Sequence, residues 1–191
     1  MEIYLLRHAC PEEPGQARLC LGQKLDVPIS SEGKRECREL AQKLHGLAFD
    51  HVYVSPLRRA RETADVLCPR EEQIVVPELT EVSGGVWDGM RFCDIYRLYP
   101  EYFVCAETGG KTPPGGESDE EALSRGLRGF ERIFAGGGRV LAVTHSGLGR
   151  ILLCHWMGLP LWQKRTIAFP YAGYYVLNAE SGRVSVLSRE G

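Results

Sequence analysis

Val140-Leu141-Ala142-Val143-Thr144-His145-Ser146-Gly147 is the stretch on which the fold turns. Four consecutive apolar residues without polar alternation read as a strand buried on both faces. A histidine stands at its end, and Gly147 to Met157 then reads as a helix. The same pattern recurs upstream. Ile3-Tyr4-Leu5-Leu6 is a short apolar run ending in Arg7-His8-Ala9, and Val52-Tyr53-Val54 ends in Ser55-Pro56 before a helix over residues 57–67, with Ala60, Ala64 and Leu67 on one side. Strand-like segments alternating with helix-like ones indicate an α/β fold. The expected form is a three-layer αβα sandwich around a central, mainly parallel sheet. Such sheets bind ligands beyond the carboxyl ends of their strands, where both histidines stand.

The remaining segments fit that frame. Ser30 is placed to cap a helix over residues 31–45, with Cys37, Leu40, Ala41 and Leu44 on one face at i, i+3, i+4 and i+7. Ile74-Val75-Val76 reads as a short strand ended by Pro77. Ser118-Asp119-Glu120-Glu121 spells a capping box. The helix it opens carries Ala122, Leu127, Phe130 and Phe134 inward, and Gly136-Gly137-Gly138 stops it. Tyr174–Leu177 and Val184–Leu187 read as a closing hairpin with Ser181-Gly182 at the turn. Residues 83–116 are rich in Gly, Pro and aromatics, with one short helix near 91–98, and read as a lid or specificity insertion in a single domain spanning 1–191. Their aromatics, Trp87, Phe92, Tyr96, Tyr99, Tyr102 and Phe103, either pack the lid or line a pocket. Tyr171, Tyr174 and Tyr175 fit an interface or a core strand equally well.

Composition excludes several classes. The 191 residues suit one domain, and 43% hydrophobic with 25% charged residues is ordinary for a soluble globular chain. A net charge of −2 offers no basic excess for nucleic acid. No apolar run approaches the roughly 20 residues of a membrane span, and the N-terminus lacks a basic leader, so a cytoplasmic protein is expected. Seven cysteines, odd in number and without a C-x-x-C pair, read as free thiols rather than a zinc site. No metal or cofactor is expected.

The strand ends carry the chemistry. A histidine held through one ring nitrogen leaves the other free to attack, which suits His8. Arg7 beside it can grip a phosphoryl group through parallel hydrogen bonds. Ser55-Pro56-Leu57-Arg58-Arg59-Ala60-Arg61 places arginines at a helix N-terminus. There they oppose the helix dipole unless an anion offsets them. Arg59 is the choice for the pocket, with Arg58 and Arg61 on a solvated face. His145 is the second imidazole. A leaving alkoxide needs a proton, for which Glu81 is the candidate acid and Asp88 its competitor.

These blocks in this order resemble the histidine phosphatase (phosphoglycerate-mutase-like) superfamily. The resemblance rests on Leu6-Arg7-His8, Asp26-Val27-Pro28-Ile29-Ser30 with Gly33, Ser55-Pro56-Leu57-Arg58-Arg59-Ala60 with Thr63-Ala64, and Leu79, Glu81, Gly85, Trp87 and Gly89. It continues through Pro114-Gly115-Gly116-Glu117-Ser118 and Val143-Thr144-His145-Ser146-Gly147 with Arg150. It implies a metal-independent mechanism in which His8 becomes phosphorylated. Arg7, Arg59 and His145 would hold the phosphoryl oxygens, and Glu81 would protonate the leaving group and then activate water. Ser146, Gly22 and Gln23 are further phosphate- or substrate-binding candidates. The implied partner is a small phosphorylated metabolite. The compact length looks more like the phosphatases than the mutases, and Leu19-Cys20-Leu21-Gly22-Gln23 with Asp26-Val27-Pro28 is similar to the α-ribazole phosphatases. The alternatives are a phosphate-shuttling mutase and a silent phospho-ligand binder. The sequence departs from the family pattern at Ala9, where glycine is usual, and in Cys10-Pro11-Glu12-Glu13-Pro14-Gly15. Glu12 and Glu13, if they face the pocket, would disfavour a second phosphate and phosphoglycerates and favour a bulky or neutral remainder.

Overall fold

The computed structural model describes residues 1–13, 18–68, 72–103, 111–180 and 183–190. Six strands form one sheet: β1 (Glu2–Arg7), β2 (His51–Val54), β3 (Gln73–Val75), β4 (Arg139–Thr144), β5 (Tyr174–Glu180) and β6 (Arg183–Glu190), in the order β3-β2-β4-β1-β5-β6. The four strands β3, β2, β4 and β1 are mutually parallel, and β5 runs antiparallel to both β1 and β6. The helices are α1 (Ser31–Lys43), α2 (Arg58–Leu67), α3 (Phe92–Leu98), α4 (Asp119–Gly136) and α5 (Ser146–Trp156).

Strand alternation builds two apolar layers. Because successive side chains on a strand point to opposite faces, Tyr4 and Leu6, Val52 and Val54, and Leu141 and Val143 meet Cys37 and Leu40 of α1 and Ala60 and Ala64 of α2. Ile3 and Leu5, Tyr53, and Val140 and Ala142 meet Phe130 and Ile133 of α4 and Leu148, Ile151 and Leu152 of α5 on the other face. This is the three-layer α/β sandwich with a mainly parallel sheet that the apolar pattern predicts.

The caps fall where the sequence places them. Ser30 Oγ accepts from Gly33 N at 3.0 Å. Ser118 Oγ accepts from Glu121 N at 3.1 Å while Glu121 Oε2 accepts from Ser118 N at 2.8 Å, completing the capping box. Of the residues expected to face inward from α4, Ala122 and Phe130 are buried, whereas Leu127 and Phe134 pack only at the rim. Gly126, Gly129 and Ile133 share the buried face, the glycines because Cβ atoms there would press on Leu148 and on Glu78. The hairpin forms, with its turn residues 181–182 outside the described set. Residues 104–110 of the 83–116 segment also lie outside it.

Register aligns the reactive ends. Arg7 pairs with Thr144 across β1 and β4, His8 N donates to Thr144 O at 2.9 Å, and Ser55 N donates to Val143 O at 3.0 Å. The carboxyl ends of β1, β4 and β2 therefore stand side by side. Beyond β3, the turn Pro77–Leu79 is tied to β4 by Thr144 Oγ1, which donates to Leu79 O at 2.8 Å. This brings Glu81 to the same edge.

Candidate active site

His8 and His145 lie with ring centroids 5.1 Å apart and are 4% and 0% exposed. His8 Nδ1 is 2.7 Å from Ala9 O. A carbonyl oxygen only accepts, so Nδ1 carries the proton and Nε2 the lone pair. Burial, with the positive charges of Arg59 and Arg7, holds the His8 pKa well below the ordinary imidazole value. The ring is therefore neutral at neutral pH, as a nucleophile must be. Burial, Arg59 and His8 lower His145 in the same way. His145 Nε2 is 2.7 Å from Ser55 Oγ, which also accepts from Leu57 N at 3.3 Å. If the Ser55 hydroxyl gives its proton to Nε2, Nδ1 keeps its own as a buried donor, and that atom has no partner among the described residues.

The guanidiniums are anchored from below. Arg59 is 1% exposed and donates to Gly22 O at 2.8 Å and Leu25 O at 3.0 Å. Arg7 donates to Phe169 O at 2.8 Å and lies 3.7 Å above the Tyr171 ring. The Nε atoms of both are buried without a partner among the described residues. The anchor at Phe169 depends on a close approach: a Cβ on Gly149 of α5 would meet the Phe169 ring at 2.2 Å. Arg58, by contrast, is exposed and paired with Glu62 at 2.6 Å, and Arg61 is exposed.

Glu81 docks on the start of α5. Its carboxylate accepts from Gly147 N and Leu148 N at 3.1 Å each and from Val82 N at 2.8 Å. Helix N-termini favour negative charge in this way. The backbone behind Glu81 is clamped twice. Gln23 Nε2 donates to Glu81 O at 2.7 Å. Arg125 donates to Glu78 O at 2.6 Å and Thr80 O at 2.9 Å while forming a bidentate pair with Glu117, both bonds 2.7 Å. Gln23 thus spends its side-chain amide on the Glu81 backbone and is not among the residues lining the cavity beside His8. The turn at Gly22 (φ 47°) directs its side chain to Glu81 and its backbone N–H to Asp88. Asp88 accepts from Gly84 N and Gln23 N, and a Cβ on Gly22 would overlap its carboxylate. It organises two loops and does not line the cavity.

That cavity has a volume of about 450 Å³, and Arg7, His8, Arg59, Glu81, Ser146 and Gly22 are among the residues that line it. Trp87, Phe92, Tyr96 and Phe103 form an apolar wall, with Trp87 and Phe103 stacked at 5.7 Å. Tyr99 and Tyr102 pack behind Trp87 and do not line it. Glu13 lines the cavity, whereas Glu12 is exposed outside it. Ala9 takes no positive φ, so the methyl group carries no strain there. Burial raises the Cys10 thiol and pushes Cys20 up to about 12, so neither is an activated nucleophile. Among the described residues no cluster of His, Cys, Asp or Glu is placed to hold a metal, and no helix is long and apolar enough to cross a membrane.

Comparison with known sequences matches residues 3–190 to the model of the histidine phosphatase superfamily (branch 1). The chain belongs to that family. Within the histidine phosphatases it is 29% identical to phosphoserine phosphatase 1 of Hydrogenobacter thermophilus, over 98% of this chain and 90% of that one. It is 28% identical to the adenosylcobalamin/alpha-ribazole phosphatase of Escherichia coli K12, over 86% and 85%. The solved native structure of mycobacterial glucosyl-3-phosphoglycerate phosphatase superposes with a TM-score of 0.83 at 25% identity, covering 97% of this chain and 96% of the other.

The site of this histidine phosphatase also contains residues that sequence reasoning did not select. Ser55 holds His145, Thr63 Oγ1 accepts from Ala9 N at 3.0 Å, and Tyr171 lies beneath Arg7. Ser55 and Thr63 fall inside the quoted motifs and could have been chosen. Tyr171 could not, because only the antiparallel course of β5 brings it to the site. Tyr174 and Tyr175, by contrast, are core strand residues.

The depressed histidines make stability pH-dependent. The unfolded chain takes up protons near 6.5, whereas folded His8 and His145 resist protonation. Their contribution is complete above that pH and is lost as pH falls below it, at roughly 1.4 kcal/mol per pH unit for each histidine. Denaturant unfolding between pH 6.5 and 5 should show wild type losing stability more steeply than His145→Gln by about that slope. Equal slopes would mean that His145 is charged in the folded protein.

Proposed function

We propose that the protein is a metal-independent phosphomonoesterase that hydrolyses a small phosphorylated metabolite through a phosphohistidine on His8. One observation carries this reading: beside a neutral imidazole, and with Ser55 donating to His145 Nε2, Arg7 Nε, Arg59 Nε and His145 Nδ1 are buried donors with no partner among the described residues. Buried polar groups rarely remain unsatisfied, and a tetrahedral dianion seated over Nε2 would satisfy all three. His8 Nε2 attacks phosphorus, the N–P bond forms, and the bond to the leaving oxygen breaks. Arg7, Arg59 and His145 stabilise the equatorial oxygens, the main demand of phosphoryl transfer. Protonated Glu81 leaves the α5 amides and delivers its proton to the leaving alkoxide. Its carboxylate then takes a proton from water, whose oxygen attacks phosphorus and releases neutral His8 and phosphate.

A silent binder would need neither a nucleophile nor an acid. A mutase would return the phosphoryl group to a second acceptor rather than to water. α-Ribazole 5′-phosphate is a second substrate reading, favoured by the apolar wall of Trp87, Phe92, Tyr96 and Phe103, against which a planar base would lie. The test is phosphate release from a panel of phosphomonoesters in the presence of chelator. Turnover that survives chelation, with an acid-labile phosphoryl group trapped on the peptide containing His8, is the expected result. Transfer to a second ester without phosphate release would favour the mutase, and loss of turnover on chelation would sink the metal-independent reading.

A further inference from the structure

The Arg7 guanidinium has a single hydrogen-bond anchor among the described residues. Its Nη1 donates to Phe169 O at 2.8 Å, and its Nε is buried without a partner. One hydrogen bond fixes a point on a guanidinium but leaves its plane free to turn. A grip on a phosphoryl group through parallel N–H donors needs that plane set. The group placed to set it is Tyr171, whose ring centroid lies 3.7 Å from Arg7 Cζ. At that distance the guanidinium stacks on the ring, and the attraction between cation and π-face adds to the packing. Tyr171 also flanks the proposed nucleophile, with its ring centroid 5.7 Å from that of His8 and the planes inclined at 45°. All three residues line the catalytic cavity. Burial raises the Tyr171 pKa, so the phenol stays protonated at neutral pH and offers Arg7 a π-face rather than a counter-charge.

The backbone that carries Tyr171 is tied to the same two residues. Arg7 N donates to Gly173 O at 3.0 Å, Ala172 N donates to His8 O at 3.3 Å, and Gly173 N closes the turn on Pro170 O at 3.1 Å. Ala172, at φ 52°, is the only residue other than glycine in the left-handed region among the described residues. That conformation costs an L-residue energy, and it persists only where the surroundings over-determine it, commonly at functional sites. Here the surroundings are the end of β1 on one side and Phe169, 1% exposed and edge-on to Tyr175, on the other. The turn over residues 169–173 thus delivers both contacts on the Arg7 guanidinium, the Phe169 carbonyl and the Tyr171 ring, from one short piece of chain. We propose that Tyr171 is a positioning residue for phosphoryl transfer: its ring fixes the plane of the Arg7 guanidinium beside His8, and the strained turn at Ala172 holds the ring in place. The inference rests on the phosphomonoesterase reading for its effect on turnover, but not for its effect on Arg7.

The experiment removes the ring face and asks whether the loss travels through Arg7. Tyr171→Leu should lower kcat on p-nitrophenyl phosphate by roughly tenfold to a hundredfold, the scale on which a misplaced group acts. KM should move less than about threefold, because a loosely held guanidinium still attracts the dianion in the ground state. Tyr171→Phe keeps the π-face and should stay within about twofold of wild type. In an Arg7→Met background the Tyr171→Leu change should cost nothing further, the signature of a residue that acts through its partner. Equal losses in the two backgrounds, or Tyr171→Phe as slow as Tyr171→Leu, would overturn the inference. A ligand-free arm separates it from the hydrolytic reading. In heteronuclear relaxation spectra of labelled protein, the Arg7 Nε–H signal is identified by its absence in Arg7→Met. It should report an ordered group in wild type and Tyr171→Phe and a mobile one in Tyr171→Leu, with thermal melts showing all three folded. Loss of that order would uphold the positioning role even if no phosphomonoester were turned over. An Arg7 signal equally ordered in Tyr171→Leu would sink it whatever the turnover.

Discussion

His8→Ala is expected to lower kcat/KM for the preferred phosphomonoester by about 10⁴-fold or more, the scale on which loss of a nucleophile acts. In the proposed reaction the imidazole is the group that forms the covalent bond. The donors left behind, Arg7, Arg59 and His145, cannot replace it, though they would still bind phosphate. The variant should therefore retain affinity for inorganic phosphate while forming no phosphoenzyme. Single-turnover kinetics with phosphate release, beside a thermal melt to confirm folding, measures both. His8 is nearly enclosed and its Nδ1 holds Ala9 O, so a modest fall in melting temperature is expected. Turnover within tenfold of wild type would show that another group, or water directly, attacks phosphorus.

Glu81→Gln should cost about 10²- to 10⁴-fold on alkyl phosphates, the usual contribution of a general acid. The same change should cost far less on p-nitrophenyl phosphate, whose phenolate departs without a proton. This dependence on the leaving group distinguishes acid catalysis from structural damage, which would slow both. Glutamine still offers one carbonyl oxygen to Val82 N and Leu148 N, but its NH₂ opposes the Gly147 N–H. Some disorder at the start of α5 is therefore expected alongside the kinetic effect. Should Glu81→Gln prove silent on alkyl esters while Asp88→Asn loses them selectively, the acid would have to be reassigned to Asp88. The structure argues against that, since Asp88 is engaged by Gly84 N and Gln23 N and does not line the cavity.

The strand ends were legible because strand and helix periodicities differ and each reactive residue sits where one gives way to the other. His8 follows Ile3-Tyr4-Leu5-Leu6-Arg7, and His145 follows Val140-Leu141-Ala142-Val143-Thr144. A parallel sheet must place such ends along one edge. Arg59 was separable from Arg58 and Arg61 by its motif, and its burial follows from the two carbonyls it reaches across the 22–25 turn. Gln23 is engaged with the Glu81 carbonyl, and a side chain near a site looks the same in sequence whether it faces a cavity or a neighbouring backbone carbonyl. Only the fold of the Gly22 turn decides which.

The sequence by itself determined the sandwich, the parallel core of the sheet, and the caps of α1 and α4, and it placed His8 and His145 at neighbouring strand ends, because all of these follow from local periodicity and short motifs. The tertiary structure decided what lies around them. The antiparallel return of β5 carries Phe169 and Tyr171 under Arg7, and α4 sends Arg125 across to brace the turn before Glu81. One cavity brings Arg150 of α5 and Arg18 together with the aromatic wall of the 83–103 segment. These are contacts between segments far apart in the chain. Their formation depends on strand direction and helix packing, which no local pattern encodes.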